Sequence, residues 1–218
     1  MSENEKVPFK KKWENYWYYY KIHTWAAIFL IFVLVVSITQ CASIVPADVT
    51  IDLVTSTAVT DSQIKLGGVF DDVMIDANND GQKQLNIVTL YLSERREGEE
   101  DYAMMQKMMA ELAAGEVTLF LFDKPNMEFY IKQDAFEPLG NLLDLTPYEN
   151  TEGKLLRREG DDTVYGISLK GSQKLKELGF ATDDLYAFIH FIPEKSKNDE
   201  KRMAQYKNAV AIMQELLK

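Results

Sequence analysis

The segment with the clearest capacity for chemistry is DANNDG, at residues 76–81. Asp76, Asn78 and Asp80 stand at alternate positions and Gly81 follows, which matches the first half of the D-x-D/N-x-D/N-G calcium loop. Calcium binds hard oxygen atoms that converge from alternate positions of such a loop, and the glycine permits the sharp turn between them. The spacing therefore predicts a calcium site with Asp76, Asn78 and Asp80 as ligands.

The second half of this motif is missing. Calcium loops place a bidentate Glu at position twelve, whereas this chain has Ile87 there, inside a predicted strand. An acidic residue from elsewhere could replace it, as in shorter loops that lead directly into a strand. Alternatively, DANNDG is only a turn, since Asn, Asp and Gly tolerate the backbone angles that turns require. Both interpretations stay open, and calcium is the only cofactor that the sequence suggests.

The common catalytic motifs are missing from the sequence. It contains no G-x-S-x-G, H-E-x-x-H, Walker or G-x-G-x-x-G pattern. Of the two histidines, His23 lies beside an apolar segment and His190 lies in a predicted strand. The single cysteine, Cys41, excludes an intrachain disulfide and a multi-cysteine metal site. We therefore expect a protein that is not an enzyme and has no catalytic residues.

Residues 25–45 form a run of 21 residues without a charged side chain. A helix of this length spans about 31 Å, which matches a hydrocarbon core of about 30 Å. Residues 26–36 are apolar on every face, unlike a soluble amphipathic helix, and Pro46 ends the run. The sequence predicts a transmembrane helix at 25–46, which divides the chain into a tail at 1–24 and a domain at 47–218.

The charges flanking this helix predict its orientation. Four lysines lie between positions 10 and 21, whereas the first charged residues after the helix are Asp48 and Asp52. Basic residues are retained in the cytoplasm. We therefore expect a cytoplasmic N-terminus and an extracellular C-terminal domain at the cell membrane.

Aromatic residues crowd the start of the helix. They are Trp13, Tyr16, Trp17, Tyr18, Tyr19, Tyr20 and Trp25. Such residues favour the headgroup layer, so an interfacial belt is expected, with recognition of a partner as the alternative. Two other interpretations of the apolar segment are a cleaved signal peptide and a lipoprotein acylated at Cys41. A long aromatic tail argues against the first, and the bulky Gln40 before Cys41 argues against the second.

The domain is acidic. The tail carries a formal charge of +2 and the whole protein −10, so residues 25–218 carry −12. A domain of this charge repels the phosphate backbone, which excludes nucleic acid as a partner. The lipid bilayer is the first partner that the sequence predicts.

Strands and helices are predicted to alternate along the domain. The predicted strands are 49–54, 85–92, 117–122, 164–169 and 185–192, and the predicted helices are 102–114, 127–133 and 199–218. The last helix has an apolar stripe of Met203, Tyr206, Val210, Met213 and Leu217. This alternation predicts an α/β domain with a single, mostly parallel sheet. Residues 146–162 are expected to form an irregular crossing loop or a hairpin.

One part of the domain is similar to a known family. The segment MMAELAAGEVTLFLFDKPNMEFYIKQDAFEPLGNLLDL resembles the first lobe of extracellular solute-binding proteins, which deliver solutes to ABC transporters. In that family an amphipathic helix ends at a small residue or Gly, a strand ends in Asp, and a helix leads to a stretch like G-x-x-x-P-L. Residues 108–115, 119–123 and 134–139 follow this order, with Asp134 where the family often has Gly. The resemblance covers about 47–145 and implies one lobe of that fold. Those proteins close two lobes around a ligand, whereas this chain is long enough for one.

The layout as a whole resembles uncharacterised membrane-anchored proteins of Gram-positive anaerobes. It implies a non-enzymatic extracytoplasmic binding or accessory domain whose partner is a membrane protein, such as an ABC transporter. The alternative is a structural subunit of a membrane complex that acts through its transmembrane helix and its C-terminal amphipathic helix. In the apolar helix, polar groups occur only in the outer part, at Ser37, Thr39, Gln40 and Ser43.

Overall fold

The computed structural model describes residues 8–42, 46–57, 59, 68–177 and 185–218. The chain forms two compact units, Met1–Val45 and Pro46–Lys218. This division falls at the predicted end of the apolar helix. Residues 43–45 of that predicted segment, and residues 1–7 of the tail, lie outside the described part of the chain.

The first unit contains one helix, α1, at Phe9–Ala42. Its 34 residues correspond to a length of about 51 Å. Within the described residues, Tyr16–Thr39 is the one segment long and apolar enough to cross a membrane, and none of its side chains is buried by the protein. Membrane anchors and signal sequences both have these properties. The helix begins earlier than predicted because neither glycine nor proline interrupts residues 9–42.

Six strands form one mixed sheet in the described part of the second unit. The strands are β1 Val49–Thr55, β2 Leu85–Tyr91, β3 Leu119–Phe122, β4 Leu155–Arg157, β5 Val164–Ser168 and β6 Tyr186–Ile189, in the order β2-β1-β3-β6-β5-β4. The helices are α2 Glu99–Ala114, α3 Lys124–Tyr130, α4 Gln173–Glu177 and α5 Glu200–Leu216. Short 3-10 helices lie at Leu139–Asn141, Thr146–Tyr148 and Glu194–Asn198.

The mixed α/β class is confirmed, but the prediction of a mostly parallel sheet is wrong. Strand β1 pairs in parallel with β2 and β3, whereas the pairs β3–β6, β6–β5 and β5–β4 are antiparallel. Six residues, 158–163, join β4 to β5, too few for the crossover that parallel neighbours require. The sequence pattern did not show that β6 enters between β3 and β5 in the opposite direction. Strand β4 itself lies in the segment predicted to be a loop or a hairpin.

Both faces of the sheet are covered. On one face, Val49, Ile51 and Leu53 of β1 pack in a cluster with α5 and the segment that follows β1. On the other face, Val54 packs in a second cluster with α2 and α3. In β5, Gly166 is required by close packing, because a Cβ atom there would overlap the ring of Phe188.

Helix α5 packs on the sheet, although its buried side differs from the predicted stripe. Its buried apolar residues are Tyr206, Ala209, Ile212, Met213 and Leu216. Met203, Val210 and Leu217 of the predicted stripe are only partly buried at its margin. The predicted spacing of three and four residues was correct, but the helix is rotated so that the margin of the stripe faces outward.

We expect Ile212→Ala to lower the free energy of unfolding of residues 46–218 by about 2–5 kcal/mol, because it leaves a cavity under α5. Ile212 is fully buried. Gln214→Ala, on the exposed side of the same helix, should change the value by less than about 0.5 kcal/mol. Urea unfolding followed by circular dichroism measures both. Equal small effects would mean that α5 is not packed on the sheet in solution.

Candidate functional site

Asp48 holds the predicted calcium loop in place. It is fully buried immediately before β1. Its Oδ1 accepts hydrogen bonds from the amides of Ala77 and Asn78 at 2.8 and 3.2 Å, and its Oδ2 accepts one from the amide of Gln84 at 2.7 Å. The carboxylate therefore ties both ends of the 77–84 segment to the start of the central strand.

Helix α5 adds a second attachment through Asn208, which is also buried. The side-chain oxygen of Asn208 accepts from the Ile75 amide at 2.7 Å, and its Nδ2 donates to the Ile75 and Asp48 carbonyls at 2.8 and 3.2 Å. Because this amide satisfies three backbone groups, it links α5, the loop and β1.

Within the loop, the three predicted ligands accept hydrogen bonds from backbone amides. The Asp76 carboxylate accepts from Gly81 at 2.8 Å and from Asp80 at 3.3 Å. Asn78 Oδ1 accepts from Asp80 at 2.9 Å, and Asp80 Oδ1 accepts from Gln82 at 2.9 Å. The bond from Gly81 is the main reason that the pKa of Asp76 is lowered. Gly81 has a φ of +85°, which a side chain would strain.

The structure therefore brings Asp76, Asn78 and Asp80 together in one ordered loop. Next to it, a groove of about 590 Å³ separates the loop from the start of α5 at Asp199 and Glu200. Among the described residues, no group of three or more His, Cys, Asp or Glu side chains is close enough to hold a metal ion. Calcium binding stays a prediction, and the hydrogen bonds account for the loop as a turn.

If the loop binds calcium, millimolar calcium should raise the melting temperature of the protein, since a ligand that binds the folded state stabilises it. Asp80→Ala should abolish the rise. Asp72→Ala, an exposed residue outside the loop, should preserve it. Differential scanning fluorimetry measures the shift, and an unchanged wild-type melting temperature would leave only the turn interpretation.

A second polar cluster lies where the parallel strands end. The segment after β1 packs on one face of the sheet through Phe70 and Met74, and α3, after β3, packs on the other face. Ligands of α/β domains bind at such a switch point, beyond the carboxyl ends of the strands. Here Ser56 follows β1 and Asp123 follows β3. The Asp123 carboxylate accepts hydrogen bonds from the Ser56 amide and, at 2.6 Å, from its hydroxyl.

Other donors converge on the same carboxylate. Asn126 donates to Asp123 from its backbone at 3.2 Å and from its side chain at 2.8 Å, so that Asp123 caps α3. Arg96 donates to the Asn126 side chain at 3.0 Å and lies over the ring of Phe129, 4.6 Å from its centre. The hydrogen-bond donors of Ser56 and Asn126 could bind an anion, but here they bind the carboxylate of Asp123.

A groove with an apolar floor lies between α3 and the edge strand β4. Its volume is about 560 Å³. Met127, Ile131 and Leu156 form its floor, and Lys132 and Arg157 are among the charged residues at its rim.

His190 lies directly after β6, in an isolated bridge with Phe136, whereas the sequence placed it inside a strand, and its side chain contacts α2 and α5. Its Nε2 lies 2.8 Å from the Leu112 carbonyl of α2, and its Nδ1 lies 2.7 Å from the Phe191 carbonyl and 3.3 Å from the Tyr206 hydroxyl of α5. Burial lowers its pKa. Gly115, the left-handed C-terminal cap of α2, leaves space for the ring, because a Cβ atom there would lie 3.2 Å from it. These contacts describe a histidine that joins α2 to the body of the domain.

The sequence pattern did not identify Asp52 as a buried ionisable group. Asp52 lies in the middle of β1 and is fully buried, and neither of its carboxylate oxygens has a hydrogen-bond donor. The signal was present, since Asp52 is the one charged residue in the predicted strand VTIDLV.

Comparison of the chain with protein-family models, curated proteins and solved structures gave no match.

Proposed function

We propose that this protein is a single-pass membrane protein with a cytoplasmic N-terminus, whose domain at 47–218 lies outside the cell as a non-enzymatic binding or accessory domain. Its proposed partner is a membrane protein complex, of which an ABC transporter is the leading candidate. The observation that carries the proposal is α1, a helix whose apolar window is buried by nothing in the protein. Burial in a bilayer removes that apolar surface from water.

The flanking charges support the proposed orientation. Lys10 and Lys21 lie on α1 before its most apolar part, and Asp48 is the first charged residue after it. A cytoplasmic location of the lysines agrees with the retention of basic residues on that side of the membrane.

The contacts of the domain favour a protein as its ligand over a small solute bound at the carboxyl edge of the sheet. The parallel arrangement β2-β1-β3 is compatible with the resemblance to a solute-binding lobe that the sequence suggests, yet the donors at the carboxyl edge are occupied by Asp123. A solute would have to displace this carboxylate. The open groove between α3 and β4 needs no such displacement, and the edge strand β4 beside it offers backbone groups to an extended segment of a partner.

A second candidate is an assembly subunit that acts through α1 and α5. One observation favours a contact on α5, because Met203 and Val210 line a shallow groove of about 270 Å³ with Leu142 and Ile192. Most of the apolar side of α5 packs on the sheet. Such a contact would therefore be confined to this groove.

Protease added to intact cells should digest residues 47–218 and leave the tail protected, because the bilayer separates them. An N-terminal epitope tag retained in the carbonate-washed membrane fraction identifies α1 as an anchor, whereas loss of the tag from the mature protein identifies a cleaved signal. Protection of the domain in intact cells, with digestion of the tail, would contradict the proposed orientation. Lysed cells, in which both parts are digested, are the control.

The binding role predicts contact at the groove between α3 and β4. A photo-crosslinking residue at Leu156 should form adducts with a membrane protein in living cells. The same residue at Tyr91, an exposed position on β2 at the opposite edge of the sheet, is the matched control. Immunoblotting and mass spectrometry identify the adducts. The same adducts at both positions would contradict a specific contact at this groove.

A further inference from the structure

The buried carboxyl group of Asp52 faces helix α2. In the sheet, Asp52 is aligned with Val88 of β2 and Phe120 of β3, which are both apolar. Asp52 lies on the same face of β1 as Val54, which packs with Met108 and Leu112 of α2, and Glu111 and Lys107 of α2 are the charged groups that affect its pKa. Lys107 Nζ lies 3.7 Å from Glu111 Oε1. The interface between β1 and α2 thus contains two carboxyl groups and one ammonium group.

Two carboxylates in contact need a proton between them. Ionised carboxylates only accept hydrogen bonds, and both oxygens of Asp52 and Oε2 of Glu111 lack a donor from the rest of the protein. A proton on Asp52 supplies the missing donor for a bond to Glu111. It also leaves one negative charge on the pair, which Lys107 balances. The cluster is therefore neutral and bonded when Asp52 is protonated.

The pKa of Asp52 agrees with this geometry. Burial first, and then the hydrogen bond and charge of Glu111, raise the pKa of Asp52 from 3.8 to about 8, while Lys107 acts in the opposite direction. In the unfolded chain Asp52 loses its proton near its ordinary pKa. The stabilising effect of the proton is thus complete in acid below 3.8, and it is lost as the pH rises through about 8.

Other contacts hold the ends of α2 throughout this range. At its start, the Asp101 carboxylate accepts hydrogen bonds from the amide and hydroxyl of Ser93, which lower the pKa of Asp101. At its end, His190 bonds to the Leu112 carbonyl, and burial lowers the pKa of this histidine. Asp101 is ionised and His190 neutral between neutrality and pH 8, so neither changes charge where Asp52 does.

We propose that α2 is a proton-controlled element, packed on the sheet while Asp52 and Glu111 share a proton and loosened from the sheet when that proton leaves. Loss of the proton places two negative charges in contact beneath the helix. Loosening gives water or a partner access to Met108 and Leu112, which are buried between α2 and the sheet. The inference concerns the folded domain itself and does not depend on the proposed function.

Hydrogen exchange of the full chain in detergent micelles tests this proposal. After correction for intrinsic rates, the amides of residues 104–112 should lose protection by about tenfold or more between about pH 6 and pH 9, because one pKa unit corresponds to a factor of ten. Asp52→Asn should remove this dependence, since Asn cannot ionise and its amide can donate to Glu111. Glu100→Gln, at an exposed carboxylate of α2, should leave it unchanged.

Infrared spectroscopy of the wild-type protein provides a measurement that needs no folded variant. A protonated carboxylic acid band should persist at about pH 6, where exposed carboxyl groups are ionised, and should disappear as the pH is raised through about 8. Absence of this band at pH 6 would overturn the proposal. It would also be overturned by pH-independent protection of α2 in the wild type, or by a full pH dependence in a folded Asp52→Asn protein.

Discussion

The rest of the domain depends on burying β1 on both of its faces. One face of this strand packs against α5 and the other against α2 and α3, while its edges pair in parallel with β2 and β3. A strand in this position must satisfy every polar group within the protein. Asp48 does so by accepting three backbone hydrogen bonds. Asp52 is also fully buried, but neither of its carboxylate oxygens accepts a hydrogen bond from the protein.

The two packed faces of the sheet differ in the polar groups that they bury. On the α5 face the polar contacts of Asn208 are complete, and they lie beside a continuous apolar cluster. On the α2 face, burial of Met108 and Leu112 contributes about 1.5–3 kcal/mol each. Placing an ionised carboxylate beneath them costs several kcal/mol. These values are of the same order, which supports the proposed effect of the Asp52 proton on the packing of α2.

At the carboxyl edge of the sheet, the position where other α/β domains bind ligands is occupied by a side chain of the protein, Asp123. The crevice between β1 and β3 is where α/β domains bind ligands, and the donors of Ser56 and Asn126 converge there on Asp123. Binding surfaces are therefore sought elsewhere, at the open groove beside α3 and β4. Its lining combines apolar side chains with charges of both signs, because Glu128 and Glu159 lie beside Lys132, Arg157 and Arg158.

The sequence by itself determined the features that depend on neighbours along the chain. The charge-free run at residues 25–45 predicted an apolar helix, since none of its side chains is charged and residues 26–36 are all apolar. Periodicity located β1, β2, α2 and α5 to within a few residues, and Gly115 was recognised as the end of α2 because its backbone conformation favours glycine. The Asn, Asp and Gly residues of 76–81 likewise predicted an ordered loop before β2.

Only the tertiary structure decided the features that depend on residues far apart in the chain. Strand direction in β6, the short strand β4 and the rotation of α5 follow from which elements meet across the core, and local pattern does not contain that information. The same reason explains Asp52. In the sequence it is one carboxylate between apolar residues. Its pKa is raised because the fold buries it and because Glu111, 59 positions later, is folded close to it.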